Sequence, residues 1–222
     1  MHKPPDYQAI EYAIARKGAS QVVERLDAAD KDLLKRIEWF VDRFGFQPQT
    51  VRDEIRRNKM FSAHFAKDPR RTGFHEKVAA CWLKQFGNTI SEFKTLPKSG
   101  KNAWYITSDG HMQKNVRPKP SKSLDFKWKT GRFTVYATHK YTREGGGNQD
   151  SQYDEVKLTL RHFQNGAVDD DTMFLAIVDG PYYTEEKLTE LNRFERIKAP
   201  YCKAMHIEYV PNYLEHHLCL EK

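Results

Sequence analysis

The sequence lacks the features that mark secreted, disulfide-bonded and membrane proteins. Its three cysteines, Cys81, Cys202 and Cys219, are odd in number and show no CxxC spacing, which indicates reduced thiols of an intracellular protein. No apolar run approaches the ~20 residues that a membrane span needs. The first residues, MHKPPDYQAIEY, contain no signal-peptide core. We therefore expect no membrane association.

Several catalytic signatures are also missing. The glycines of Gly145–Gly147 are not followed by GKS or GKT, so a P-loop nucleotide site is excluded. There is no GxSxG elbow for a serine hydrolase. The histidines are scattered without zinc-ligand spacing. The segment DGHMQKN around His111 does not provide the ordered His/Asn/His set that an HNH nuclease needs.

The composition allows a folded, basic protein. The 222 residues suffice for one domain or for a core with an added subdomain, and 39% apolar residues with 13% aromatics can fill a core. The net charge of +7 suits a polyphosphate partner such as nucleic acid.

The N-terminal third has helical periodicity, with two interpretations. We predict three helices: residues 8–26 with a break near Gly18 and Ser20 as a cap, Ala28–Phe44 capped by Asp27 and closed by Gly45, and Val51 to about Lys59. The last two could form a helix-turn-helix DNA reader with Pro48–Lys59 as its recognition helix. Ordinary helical packing explains the same pattern.

A basic, proline-broken loop precedes the next predicted helix, which runs from about Gly73 to Phe86. Glu76 lies in its first turn, where the helix dipole favours an acid. That glutamate is therefore either a dipole-stabilising surface residue or part of a site. The loop's cations Lys67, Arg70 and Arg71 are correspondingly either solvated or phosphate contacts.

The rest of the chain alternates strands and helices, which predicts a mixed sheet flanked by helices. The predicted elements are strand Ala103–Thr107 with a turn at Ser108–Gly110, strand Arg132–Tyr141, a helix from Gln149 to about Gln164, strand Met173–Val178, helix Glu185–Ile197 capped by Thr184, strand Cys202–Val210, and a helix from about Asn212.

The chain is organised around Lys122–Val156. Asp125 lies before a turn at Lys129–Gly131, and Lys140 lies late in the following strand. A period of two places Thr134, Tyr136, Thr138 and Lys140 on one strand face, which is either exposed or lines a site. An acid and a lysine on neighbouring strands can converge on a phosphate, or they can form a plain ion pair.

Four features follow one another along the chain: SLDF, a strand ending at Lys140, GGGNQDSQYDEV, and a buried strand ending in DG. This order resembles the type II restriction endonucleases and, more broadly, the PD-(D/E)xK nucleases. In that pattern an aspartate ends one strand, and an acid and a lysine one residue apart lie on the next. Asp125 matches the first position and Lys140 the last. Glu76 matches a glutamate that such sites often have on the preceding helix. The resemblance covers about residues 70–215.

One position departs from this pattern. Thr138 stands where an acid is expected, so the second carboxylate must come from elsewhere. Our candidates are Glu76 and then Asp150. The backbone carbonyl of His139 can also ligate Mg²⁺, which accepts carbonyl oxygen and water beside one or two carboxylates.

The resemblance implies a fold, a reaction and partners. The helical periodicity predicts a helical N-terminal subdomain over 1–68, for DNA contacts or dimerisation. For 69–222 the fold that the resemblance implies is α/β (α+β), a restriction-endonuclease-like core with a central mixed β-sheet flanked by helices. The reaction is Mg²⁺-dependent cleavage of a specific short sequence in double-stranded DNA, with Mn²⁺ as a possible substitute. The implied partners are a second copy of the chain and a cognate DNA methyltransferase, in a prokaryotic cytoplasm.

The implied site has three groups of residues. Asp125, Lys140 and Glu76 are catalytic, with Asp125, Glu76 and the His139 carbonyl on the metal. Supporting residues are Thr138, Gln149, Asp150 and Gln152, and candidate DNA contacts are Lys67, Arg70, Arg71, Lys119, Lys122 and Arg143. The alternatives are a non-catalytic sequence-specific DNA-binding protein and a repair or structure-specific nuclease.

Overall fold

The computed structural model describes residues 3–68, 73–115, 123–143, 147–166, 171–193 and 201–219. These residues form two compact units. One is Asp6–Phe74, and the other comprises the described residues of Met1–Pro5 and His75–Lys222. The division follows shortly after the boundary predicted at 68/69.

The first unit is helical, as predicted. Its core is formed by seven buried apolar residues: Val22, Leu26, Leu33, Ile37, Val51, Ile55 and Phe65. Its helices are α1 (Tyr7–Ser20), α2 (Val22–Asp27), α3 (Lys31–Phe44), α4 (Pro48–Arg57) and α5 (Lys59–His64).

The helix boundaries differ from the prediction in three places. The first break comes at Gln21 rather than near Gly18, and Ser20 donates back to the Lys17 carbonyl instead of capping α2. Asp30, not Asp27, caps α3 by accepting from the Leu33 N–H at 2.9 Å. Asn58 caps the short helix α5, which periodicity alone did not reveal.

The second unit is built on a five-stranded mixed sheet with the strand order β1-β4-β5-β6-β7. Strands β1, β4 and β5 are successively antiparallel, and β5, β6 and β7 are successively parallel. A separate antiparallel hairpin pairs β2 with β3. The strands are β1 (Ser91–Thr95), β2 (Trp104–Ile106), β3 (Met112–Lys114), β4 (Phe126–Thr130), β5 (Phe133–Tyr141), β6 (Thr172–Asp179) and β7 (Cys202–Met205).

Helices cover both faces of this sheet. Residues of α6 and α9 share one buried cluster with the strands, and residues of α7 and α8 share another with the opposite faces of β5, β6 and β7. The expectation of a mixed sheet flanked by helices is therefore confirmed. The helices are α6 (Phe74–Leu83), α7 (Gly147–Asn165), α8 (Glu185–Asn192) and α9 (Val210–Cys219).

One strand prediction was wrong in its extent, and one strand was missed. The stretch Cys202–Val210 is a strand only to Met205 and continues as a 3₁₀ helix, Ile207–Tyr209, before α9. The edge strand β1 was missed because four of its five residues are exposed, which leaves little apolar alternation to recognise. The predicted turn at Ser108–Gly110 does join a hairpin.

The polar face of β5 is not a solvent face. Tyr136 belongs to the cluster under α7, and Thr138 is buried. Lys140 lies at the end of this face and is half-buried. The face is therefore buried at Tyr136 and Thr138 and half-buried at its two ends, Thr134 and Lys140.

One end of α7 is held against the small hairpin by two glycines. A Cβ on Gly110 would lie 2.4 Å from the Cα of Gly166, the residue that follows the helix. Gly110 also has a positive φ of 84°. Glycine is thus required at this contact for both space and conformation. Across the described ranges, no helix combines the length and apolarity that a bilayer crossing requires.

Candidate active site

Asp125 stands immediately before β4, where the backbone fixes it on two sides. Its N–H donates to the Ala137 carbonyl at 2.9 Å, and its Oδ2 accepts from the His139 N–H at 2.8 Å. These two bonds go to Ala137 and His139, the residues that flank Thr138 on β5. The structure therefore places Asp125 beside the position where the nuclease pattern expects its second acid.

The Asp125 carboxylate is held in a poorly solvated place. Burial raises its pKa above the usual range, although the His139 N–H and the positive charge of Lys140 act in the opposite direction. The negative charge of Glu76 adds to the rise. A carboxylate in this situation is ready to accept a cation, since a positive ion offsets both burial and repulsion.

Lys140 reaches a helix rather than the neighbouring strand. Its Nζ lies 3.2 Å from Oε1 of Glu155 on α7, and both side chains are largely shielded from solvent. The ion pair between Asp125 and Lys140 that the sequence left open is therefore replaced by a pair with Glu155. Lys140 still acts on Asp125 through its charge.

Glu76 lies in the first turn of α6, as expected, and has a cation partner. Lys98 Nζ donates to Glu76 Oε1 at 2.5 Å. Burial alone would raise the pKa of Glu76, but the Lys98 hydrogen bond and charge outweigh it, so the pKa falls below its usual range. The Glu76 side chain is thus largely shielded from solvent, and its charge acts on Asp125; its place in the site stays a prediction.

A second polar cluster lies at the carboxyl end of β6. His139 Nε2 lies 3.1 Å from Oδ2 of the buried Asp179, whose Oδ1 accepts from the Ile207 N–H at 3.0 Å. Burial opposes ionisation of Asp179, but hydrogen bonds from His139 and His206 outweigh it and hold its pKa well below the usual range. His139 therefore links Asp179, through its ring, to Asp125, through its N–H.

The predicted supporting residues are only partly brought to this site. Asp150 Oδ1 accepts from the Tyr182 hydroxyl at 2.6 Å, and Gln152 Oε1 accepts from the Thr142 hydroxyl at 3.4 Å. The residue of α7 that contacts Lys140 is Glu155 instead. The side chain of Gln149 lies outside the described residues.

The predicted DNA contacts are mostly beyond the described part of the chain. Arg70, Arg71, Lys119 and Lys122 lie outside it, as do Gly145 and Gly146 of the glycine loop. Lys67 belongs to the helical unit. Arg143 follows β5 and is half-buried. These positions stay predictions.

The candidate donors at this site are two carboxylates and a backbone carbonyl, and Mg²⁺ as the cation they bind stays a prediction. In the described ranges no three His, Cys, Asp or Glu side chains converge as a metal-binding group, whereas a structural zinc site takes four such ligands. Asp125 and Glu76 supply two carboxylates, and Mg²⁺ is bound by one or two together with water and substrate phosphate. In a strand the N–H and C=O of a residue point the same way, so the His139 carbonyl also faces the side that holds Asp125.

Three site residues were missed from the sequence. Asp179 carried a usable signal, because an acid that ends a buried strand parallel to β5 must lie at the same sheet edge as Lys140. Glu155 lies three residues after Gln152 and so shares its side of α7. Lys98 lies in an irregular loop, and no pattern in the sequence marks it.

Comparisons with known proteins give little further guidance. No protein-family model matches the chain, and no curated protein matches it. Among solved structures, the chain is similar to the crystal structure of protein VC1899 from Vibrio cholerae, with 11% sequence identity and a TM-score of 0.34. The match covers 98% of this chain and 57% of that protein.

Proposed function

We propose that the protein is a Mg²⁺-dependent endonuclease of the PD-(D/E)xK type that cuts double-stranded DNA at a specific short sequence. One observation carries this proposal. Asp125 and Lys140 occupy the same end of the β4–β5 hairpin, and Glu155 brings a carboxylate to within 3.2 Å of the Lys140 Nζ. Glu155 is therefore our candidate for the residue that positions Lys140, and Glu76 remains the candidate for the acid that Thr138 does not provide.

The order of elements supports the same proposal. A helix bearing Glu76 precedes the antiparallel strands β1, β4 and β5, and α7 then leads to β6, which is parallel to β5. The order of a helix with Glu76, a strand ending near Lys140, a helix and a buried strand is the order on which the resemblance rests. The catalytic groups come from the middle strands and from helices packed on them, which holds such groups more rigidly than loops would.

Asp125 and Glu76 would hold the divalent cation, with the His139 carbonyl as a further oxygen ligand. When bound, the cation would polarise the scissile phosphate and lower the pKa of a bound water. Lys140 would orient the attacking water or a phosphate oxygen, because its ammonium is a fixed positive charge in a partly desolvated place. Glu155 would hold that ammonium in position.

Asp179 and His139 would maintain the geometry around Asp125. The bond from the His139 ring to Asp179 fixes the residue whose N–H binds Asp125. Neither needs to touch the substrate for this role. A basic net charge of +7 favours association with DNA, and a two-fold symmetric cut in DNA would call for a homodimer.

The proposal is tested by incubating the protein with mixed-sequence linear DNA, with Mg²⁺ or Mn²⁺ and with EDTA. Discrete fragments that depend on the metal and vanish in Asp125→Ala would support it. The control is Asp171→Ala, since Asp171 is an exposed carboxylate bonded through its backbone to Thr134 at the opposite end of β5. That variant should cut like the wild type.

Other outcomes of this experiment would overturn the proposal. DNA that is shifted in a gel but never cut would indicate the non-catalytic DNA-binding alternative. Metal-dependent fragments without fixed ends would indicate a repair or structure-specific nuclease on the same core. Sequencing the fragment ends separates a site-specific enzyme from a non-specific one.

A further inference from the structure

Lys98 is held beside the candidate site by the backbone on both sides of its loop. Before it, the Leu96 N–H donates to the Asp125 carbonyl at 2.8 Å. After it, the Leu124 N–H donates to the Trp104 carbonyl at 2.8 Å. The loop that carries Lys98 is thus bonded to the residue before Asp125 and to Asp125 itself, so its position relative to that carboxylate is set by the fold.

The Lys98 ammonium lies where two acidic side chains act on it. It donates to Glu76 at 2.5 Å, and the charge of Asp125 acts on it as well. Burial would lower the pKa of Lys98, but the Glu76 hydrogen bond and the charges of both carboxylates outweigh it and raise that pKa. Lys98 is therefore a cation hydrogen-bonded to one of the two acids proposed for the metal.

The two side chains of this ion pair differ in exposure, and the more exposed lysine can leave the pair for solvent. The Glu76 side chain is 21% exposed, whereas that of Lys98 is 65% exposed. The lysine can rotate into water by moving only its own flexible stem, but the glutamate is held at the start of α6. An ammonium and a divalent cation repel each other, so the same carboxylates cannot bind both closely.

We infer that Lys98 is a built-in counter-ion that occupies the carboxylate of Glu76, and interacts with the charge of Asp125, until a divalent cation bound by these two acids displaces it. This inference rests on the proposed function, because it assumes that those acids bind metal. Lys98 offsets the repulsion of the two acids in the metal-free protein, and it lowers the affinity of the site for the cation. Metal entry moves the lysine toward solvent.

The test is calorimetric titration of MgCl₂ and of MnCl₂ into the full-length protein without DNA. Lys98→Gln removes the competing charge and should lower the metal Kd about fivefold or more, from the interaction of unit charges about 4 Å apart in water. Lys98→Arg keeps the charge and should bind metal close to the wild-type affinity. Lys101→Gln, an exposed lysine of the same loop with no ion pair among the described residues, is the control for net charge.

The outcomes separate this inference from the proposed function. An unchanged or higher Kd in Lys98→Gln, in a variant with wild-type circular dichroism, overturns the counter-ion role while wild-type DNA cleavage leaves the nuclease proposal standing. A wild-type protein that binds neither cation and cuts no DNA overturns the proposed function, and the inference with it. Tighter binding in Lys98→Gln and in Lys101→Gln alike would overturn the specific role of Lys98.

Discussion

Lys140 is paired with Glu155, a residue fifteen positions later on α7, at 3.2 Å between Nζ and Oε1. The pair joins the end of a central strand to the helix that packs over it. Its consequence is that the carboxylate nearest the candidate catalytic lysine comes from a helix and not from the strand position held by Thr138.

We expect Glu155→Gln to reduce DNA cleavage by about a hundredfold or more, the usual cost of removing one charged group from a preorganised site. DNA binding in a gel-shift experiment should persist. The control is Asp154→Asn, which removes the neighbouring carboxylate from an exposed position of the same helix. Equal cleavage by wild type and Glu155→Gln would remove Glu155 from the site.

Thr138→Glu should restore activity to the Glu155→Gln variant. Both positions are on the α7 side of the sheet, so an acid at 138 can take over the role of the lost one. The double variant should cut at least about tenfold faster than Glu155→Gln alone, a coupling of about 1.4 kcal/mol. Activities that merely multiply would show that the two positions act independently.

Asp125→Asn should abolish cleavage and stabilise the metal-free protein. The ionised carboxylate is disfavoured by burial and by Glu76, and a neutral amide can still accept the His139 N–H. We expect the free energy of unfolding to rise by about 1 kcal/mol, which corresponds to a Tm roughly 2–4 °C higher. Thermal unfolding in EDTA measures it. A lower Tm would mean that the charge of Asp125 is already well compensated without metal.

The protein should lose stability as the pH rises through the folded-state pKa of His206. The Asp179 hydrogen bond raises that pKa, and the Val178 carbonyl, 2.7 Å from Nδ1, adds to this against burial. The protonated ring therefore contributes stability that is fully present below the unfolded pKa of 6.5. The free energy of unfolding, measured with urea in EDTA, should differ less between pH 6 and pH 8 in His206→Gln than in the wild type. The exposed His111, changed to Gln, should keep the wild-type difference.

Gly180→Ala should destabilise the sheet unit by more than a positive φ alone explains. Gly180 has a φ of 97°, and a Cβ there would lie 2.2 Å from the Thr142 carbonyl oxygen. Gly100→Ala also places alanine at a positive φ, 84°, but with open space around it. We expect the free energy of unfolding, measured with urea, to fall by about 1 kcal/mol in Gly100→Ala. In Gly180→Ala it should fall by about 2 kcal/mol more. Equal losses would show that the Thr142 segment can move aside.

The sequence predicted which strands carry the candidate site better than it predicted which side chains contact one another there. Asp125 and Lys140 could be placed because strand alternation and a short turn determine which residues of a hairpin lie opposite each other. Glu155 could not, since its contact depends on how α7 packs on the sheet. The predicted strand over Cys202–Val210 failed because Asp179 captures the Ile207 N–H, and this tertiary hydrogen bond overrides the β-propensity of the segment.

The close contact between Gly110 and Gly166 fixes the position of the C-terminal end of α7. The helix is fixed at its far end by the small hairpin, and Glu155 lies eleven residues before Gly166, or about 16 Å along the axis at 1.5 Å per residue. A helix this long moves as a rigid rod over such a distance. Any side chain added at either glycine would therefore tilt the rod and displace Glu155 from Lys140, although neither glycine is near the candidate site.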